Sequence, residues 1–304
     1  MVNLITGATG FLGKQLIAQL KSNQKNLKIY TCALNGATDE SNHERIDLTK
    51  KSDVQSMIRR VGPNRVYHLA GIARVSNSIQ FEDYFYQNSL STQYLLEAIS
   101  ELGTPCEFFL ASSVHVYGNQ NQTVNERSEL KPEGGYGFTK YLAEETLKNF
   151  VLKTSQIRGV VGRLYSCIGP NQSAGFVTSD ICHKIKILKK TKSSQLEVGP
   201  TDAIRQFTDV RDAVKTFPIL LDSVLPSRFE IFNIASNKTY QIKELIQMAL
   251  DLEELNINIV SRENNTNPFK GLKVDTSKLN AIVPQSQFRP LEASLKDILN
   301  STQG

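Results

Sequence analysis

Short runs of β-branched and apolar residues alternate along the chain with longer stretches in which apolar positions recur every three or four residues. Val2–Ile5, Lys28–Ala33, Arg65–Leu69, Glu107–Ala111 and Val160–Leu164 read as buried strands, and helical spacing falls around residues 12–21, 51–61, 82–101 and 136–153. Such alternation predicts an α/β fold with a doubly wound parallel sheet. Tyr94, Leu95, Ala98 and Leu102 share one helical face, as do Ala143, Leu147 and Phe150, so both long helices carry an apolar stripe for a core or a dimer interface. After Leu164 the rhythm loosens into Ile168–Gly175, rich in Gly, Pro, Asn and Ser, and the later elements no longer repeat the strand–helix unit. Phe229–Ile234 reads as a further buried strand, followed by Ile242–Leu252 and a last helix near Leu291–Leu299.

At 304 residues the chain exceeds the ~100–200 residues of a usual single core, which predicts one large domain and a smaller one. The net charge of +5 is too diffuse to imply nucleic acid, yet it suits a phosphorylated substrate. No apolar run approaches the ~18 residues of a membrane span, and Val2–Ile5 already reads as strand where a signal peptide would lie. We therefore expect a cytoplasmic protein with no membrane partner. Cys32, Cys106, Cys167 and Cys182 lack metal-ligand spacing and are expected to be packed, reduced thiols, with no metal site.

Candidate chemistry begins at residues 7–13, Gly-Ala-Thr-Gly-Phe-Leu-Gly, directly after the first strand. Glycines that close a strand and open a helix let the backbone turn tightly and aim free amides at a pyrophosphate, which predicts a bound dinucleotide. Residues 1–165, with a return segment near 207–236, are expected to form the dinucleotide-binding domain, and 166–206 with 237–300 the substrate-binding domain. Tyr136 and Lys140 lie four apart at the start of a helix, so they share a face, while Ser113 follows the strand Glu107–Ala111 at the carboxyl edge of the sheet, where parallel sheets bind ligands. A neighbouring ammonium lowers a tyrosine pKa from ~10 toward working pH. Tyr136 could then trade a proton with a substrate oxygen that Ser113 holds, while the carbon beside it exchanges hydride with the cofactor.

Gly7-x-x-Gly10-x-x-Gly13, Asp47-Leu48, His68-Leu69-Ala70-Gly71, Asn88, Ser112-Ser113 and Tyr136-x-x-x-Lys140 together resemble the extended short-chain dehydrogenase/reductases. The resemblance implies a Rossmann-type sheet with a smaller C-terminal α/β substrate domain. It implies cofactor contacts from Gly7, Thr9, Gly10, Phe11, Leu12, Gly13, Asp47, Leu48, Leu69, Ala70 and Gly71, with Tyr136 and Lys140 shared between cofactor and catalysis. Ser113, Tyr136 and Lys140 form the implied catalytic set, and Asn88 supports it. Two longer stretches, Ile168–Asp180 and Leu196–Asp212, are similar to reductases of GDP-4-keto-6-deoxymannose. They imply that Arg205 pairs with the diphosphate of a nucleotide sugar and that Phe176 and Thr178 line the nucleotide site. A surface ion pair of Arg205 with Asp202 or Asp209 is the competing reading. Helices near 82–101 and 136–153 resemble those that form a four-helix dimer interface in this family, which implies a homodimer.

Several positions depart from the family pattern. Dehydratases carry Asp-Glu directly after the active-site hydroxyl residue, where this chain has Val114 and His115, so carbonyl reduction or epimerisation is expected in place of 4,6-dehydration. Gly135 replaces a proline, Ser166 an asparagine, and Asn264–Lys270 replaces an Arg-Pro-Ser/Thr-Glu segment, which leaves GDP, dTDP, UDP and CDP carriers open. Thr31–Asn35, after the second strand, holds no acid to bond a ribose and repel a 2′-phosphate, which favours NADP(H) over NAD(H). The expected function is NAD(P)H-dependent reduction of the C4 ketone of a nucleotide-linked 4-keto-6-deoxyhexose. A 4-epimerase with tightly bound NAD and a non-catalytic NAD(P)-binding sensor are the alternatives.

Overall fold

The structure is a computed structural model, and it describes residues 1–23, 27–76, 78–191, 194–261, 271–284 and 287–301. Seven strands form the main sheet in the spatial order Phe229–Ile234, Ile157–Leu164, Cys106–Ser113, Arg65–His68, Val2–Thr6, Lys28–Ala33 and His43–Arg45. The five pairings that join the first six strands in sequence are parallel. This is the parallel α/β sheet that the alternating pattern predicts, of the Rossmann type that the resemblance implies. Cys106–Ser113 and Ile157–Leu164 pair along eight residues, from Cys106 opposite Ile157 to Ser113 opposite Leu164, and so carry Ser113 out to the carboxyl edge.

Burial on both faces explains why these strands read as continuous apolar runs rather than as alternating ones. On one face Leu4, Val66, Phe108, Leu110 and Val161 pack against Val54, Met57 and Ile58 of the helix Lys51–Val61, Leu95, Leu96 and Ile99 of Ser91–Leu102, and Ala143, Leu147 and Val151 of Gly134–Lys153. On the other, the ring of Phe109 stacks on Phe217 of the helix Val210–Asp222 with centroids 4.2 Å apart. That helix has no counterpart in the sequence expectations, because Pro218 stands in its middle. The single helix expected over 82–101 is in fact Phe81–Tyr84, a π-helical turn Phe85–Leu90 and the helix Ser91–Leu102. No helix among the described residues is long and apolar enough to cross a membrane.

Two compact units divide the chain. The first holds Met1–Gly118, Glu129–Leu164 and Val214–Asn233, and so contains the main sheet. The second holds Asn119–Ser128, Tyr165–Ala213 and Ile234–Gly304. Its core gathers Ile181, Cys182 and Ile185 from the helix Val177–Thr191, Leu245 and Ile246 from Ile242–Leu252, and Leu295 and Ile298 from Leu291–Ser301. Asn119–Ser128, which the sequence places with the first domain, groups with the second because Val124 exchanges backbone bonds with Lys273 and Asp275.

A buried ion pair ties the first unit together behind its carboxyl edge. The guanidinium of Arg163 lies 2.7 Å from the carboxylate of Glu144, and both side chains are 2% exposed. Arg163 also donates to the Tyr117 hydroxyl at 2.8 Å, that hydroxyl donates to Asn233 at 2.7 Å, and Ser112 donates to Glu144. A fully partnered buried pair of this kind is costly to break, since removing one charge strands the other. Glu144→Gln should therefore destabilise folding by about 3–5 kcal/mol, measured as a lower urea midpoint. Glu101→Gln, in the exposed pair with Arg59, should cost less than about 1 kcal/mol; equal shifts for the two variants would contradict this account.

Candidate active site

The glycine loop runs hard against the segment that follows the strand Arg65–His68. Gly7 has φ +68°, and a Cβ there would lie 2.7 Å from the Ala70 amide nitrogen; at Gly13 it would lie 2.3 Å from the Gly7 carbonyl oxygen. Only glycine fits either place. Within the motif Phe11 and Leu12 open the helix Phe11–Asn23, so the first-turn amides lie at the carboxyl edge of Val2–Thr6. A pyrophosphate fits that cradle, and with it a pyridine nucleotide. Thr9 donates to the Asn35 carbonyl at 2.8 Å and so ties the loop to the end of the strand Lys28–Ala33. Asp47 follows the strand His43–Arg45, where hydrogen bonds from the Thr49 hydroxyl and amide hold its carboxyl below the usual range; the neighbouring Leu48 is buried. Leu69 and Ala70 donate their amides to Thr6, and Gly71 comes next.

Ser113, Tyr136 and Lys140 converge beside this cradle. Ser113 ends its strand and accepts the His115 amide at 3.2 Å, capping a short 3₁₀ turn, Val114–Tyr117. The same turn sets the His115 ring edge-on to Tyr136, with centroids 5.4 Å apart and planes at 71°. One helical turn on, the Lys140 ammonium donates to the Ala111 carbonyl at 2.9 Å, two residues before Ser113. Lys140 is 7% exposed, and burial brings its pKa down to about 8 against the opposing pull of Glu144. Glu144 lies four residues after Lys140, on the same helical face, so the spacing alone marks it as a neighbour of the ammonium.

Two further polar side chains brace the set. Thr92 donates to the Asn88 carbonyl at 2.7 Å, so the proton between Thr92 and His68 belongs to His68 Nε2; His68 Nδ1 then accepts from the Thr6 hydroxyl. Burial, with the Lys140 ammonium adding to it, drives the His68 pKa down to about 3 and keeps the ring neutral. His68 thus links the first strand to the helix Ser91–Leu102. Asn88, presented by the π-helical turn, accepts the Ile72 amide at 2.9 Å and donates to the Ile72 carbonyl and to Thr139, the neighbour of Lys140. Tyr84 bonds Arg74 and Ser76 through its hydroxyl and sets its ring 6.1 Å from that of Tyr136.

The residues expected to hold the nucleotide of a substrate lie in the second unit. Phe176 directly precedes the helix Val177–Thr191, and Thr178 is buried in its first turn. Arg205 donates to the Ile204 carbonyl at 2.7 Å and lies beside Tyr165, and burial lowers its pKa from the ordinary arginine value. Asp209 is bound instead by Arg211 and Ser294. The segment Asn264–Lys270 lies outside the described residues.

Known proteins resemble this chain along nearly its whole length. A family described as GDP-mannose 4,6 dehydratase matches residues 4–300. The GDP-6-deoxy-D-talose 4-dehydrogenase of Aggregatibacter actinomycetemcomitans is 27% identical over 263 residues, covering 86% of this chain and 83% of that protein. The GDP-6-deoxy-D-mannose reductase of Pseudomonas aeruginosa is 28% identical over 261 residues, covering 84% and 81%. Among solved structures, RMD from Pseudomonas aeruginosa complexed with NADPH superposes with a TM-score of 0.85 at 25% identity, covering 99% of this chain and 98% of that one. Since the family match takes in both units and every element that bears the candidate site, this chain belongs to the GDP-mannose 4,6 dehydratase family.

Proposed function

We propose that the protein reduces the C4 ketone of a nucleotide-diphosphate-linked 4-keto-6-deoxyhexose to an alcohol, with NADPH as the favoured reductant. The convergence of Ser113, Tyr136 and Lys140 beside the glycine cradle carries this reading. Gly7, Thr9, Gly10, Phe11, Leu12, Gly13, Asp47, Leu48 and Leu69–Gly71 would hold the cofactor, which supplies hydride to a carbonyl carbon when bound. The Ser113 hydroxyl accepts the His115 amide and so keeps its own proton to orient the ketone oxygen. Tyr136 delivers a proton to that oxygen as negative charge develops on it. Lys140, one helical turn beyond Tyr136 and anchored on Ala111, would supply the positive charge that favours the resulting phenolate.

The residues argue against dehydration despite the family's name, because Val114 has no proton to give and stands where dehydratases carry an acid. Arg205 would pair with the substrate diphosphate, since a planar guanidinium forks onto phosphate oxygens, with Phe176 and Thr178 on the nucleotide. Names of the relatives support a sugar nucleotide as substrate. The absence of an acid in Thr31–Asn35 supports NADPH.

A homodimer completes the proposal. Phe81, Tyr86 and Phe138 are 46%, 48% and 41% exposed, and Phe81 lies against Phe85 and Phe138 on the outer side of the helices that precede and bear Tyr136. An aromatic patch of this kind is costly to leave in water and suits a second copy of the chain.

Two outcomes follow. Tyr136→Phe should lower kcat for NADPH oxidation with 4-keto-6-deoxyhexose nucleotides by about 10²–10⁴-fold, as expected for the loss of a general acid; full activity would remove Tyr136 from the chemistry, and turnover without net NADPH consumption would favour an epimerase. Phe138→Glu should shift the protein from dimer to monomer in sedimentation velocity, whereas a wild-type protein that sediments as a monomer at high concentration would overturn the dimer.

A further inference from the structure

The strand His43–Arg45 is three residues long and shows no apolar pattern, yet it brings a cation to the most selective part of the cofactor cradle. Arg45 pairs in register with Ala33, the last residue of the neighbouring strand, and its Nε donates to the Leu34 carbonyl at 3.0 Å. This fixes an exposed guanidinium over the turn Leu34–Gly36. Its Nη1 and Nη2 edge forms no ion pair among the described residues. Thr9 of the glycine loop bonds the Asn35 carbonyl on the other side of the same turn, and Gly36 lies against the Thr9 side chain.

A nucleotide held by the glycine loop and, as the family resemblance implies, by Asp47, two residues beyond Arg45, would bring its adenosine ribose near this turn. An acidic side chain after the second strand would select a free 2′-hydroxyl there. Leu34, Asn35 and Gly36 put no charge there. Of the carboxylates that follow, Glu40 and Glu44 are engaged by Lys21 and Arg60, and Asp39, three residues beyond Gly36, is exposed. Among the described residues Arg45 brings a cation without an ion pair to this edge, with its two terminal nitrogens able to fork onto phosphate oxygens.

We infer that Arg45 is the group that binds the 2′-phosphate of NADPH, supplied from the third strand rather than from the loop after the second. The inference rests on the reading of the glycine loop as a pyridine-nucleotide site, and its test separates the two. NADPH and NADH are titrated by fluorescence, and adenosine 2′,5′-bisphosphate by thermal shift, against wild-type protein, Arg45→Ala and Arg45→Glu. Wild type should bind NADPH at least tenfold more tightly than NADH. Arg45→Ala should lose tenfold or more toward NADPH and adenosine 2′,5′-bisphosphate while its NADH affinity changes less than twofold, and Arg45→Glu should prefer NADH. An unchanged NADPH to NADH ratio in Arg45→Ala, or equal losses toward both, would overturn the role of Arg45 and leave the nucleotide site standing. A wild-type protein that binds neither dinucleotide would overturn both.

Discussion

Lys140 holds its ammonium almost out of water against the Ala111 carbonyl, and that buried charge constrains most of what surrounds it. Burial alone favours the neutral amine, so the site needs a compensating carboxylate, which Glu144 supplies one helical turn away. A carboxylate on a side chain only 2% exposed needs a partner in turn, and Arg163 forks onto it from the strand Ile157–Leu164. The guanidinium is then closed off by Tyr117, whose ring lies 4.7 Å from it. Charges of alternating sign therefore run from the candidate site into the core, and each is stable only because the next is present. His68 obeys the same constraint by staying neutral, because burial, with the Lys140 ammonium adding to it, disfavours a charge on its ring.

The parallel sheet was legible because its strands are buried on both faces, which leaves an apolar run with little ambiguity in Val2–Thr6, Arg65–His68 and Cys106–Ser113. The Tyr136–Lys140 spacing was legible for a different reason, since i and i+4 share a helix face whatever the tertiary structure. Less legible were features that depend on register or on local departures from helix geometry. The π-helical turn Phe85–Leu90 leaves no trace in a 3.6-residue pattern, yet it presents Asn88 to the backbone of Ile72. Arg45 looks like any charged surface residue until the pairing of Ala33 with Arg45 brings it to the end of the second strand. Pro218 hid the helix Val210–Asp222 because proline argues against helix wherever tertiary packing does not override it.

Within a family named for dehydration, the candidate chemistry is decided by the short turn after Ser113. Val114 removes an acid, and His115 turns its ring to Tyr136 while its amide fixes the Ser113 hydroxyl. In the proposed reaction a hydroxyl orients a ketone, a phenol protonates it and an ammonium supports the phenol. The same three groups could serve a 4-epimerase, so the distinguishing event is the fate of the hydride rather than the fate of the proton.

That fate can be read directly by incubating the protein with GDP-, dTDP- and UDP-linked 4-keto-6-deoxyhexoses and NADPH deuterated at each face of C4 of the nicotinamide, followed by NMR of the sugar product. The account predicts that one of the two deuterated cofactors places its label on C4 of the sugar, with one NADPH oxidised per alcohol formed. Product that carries no deuterium at C4 from either cofactor, formed while NADPH is not consumed, would contradict it.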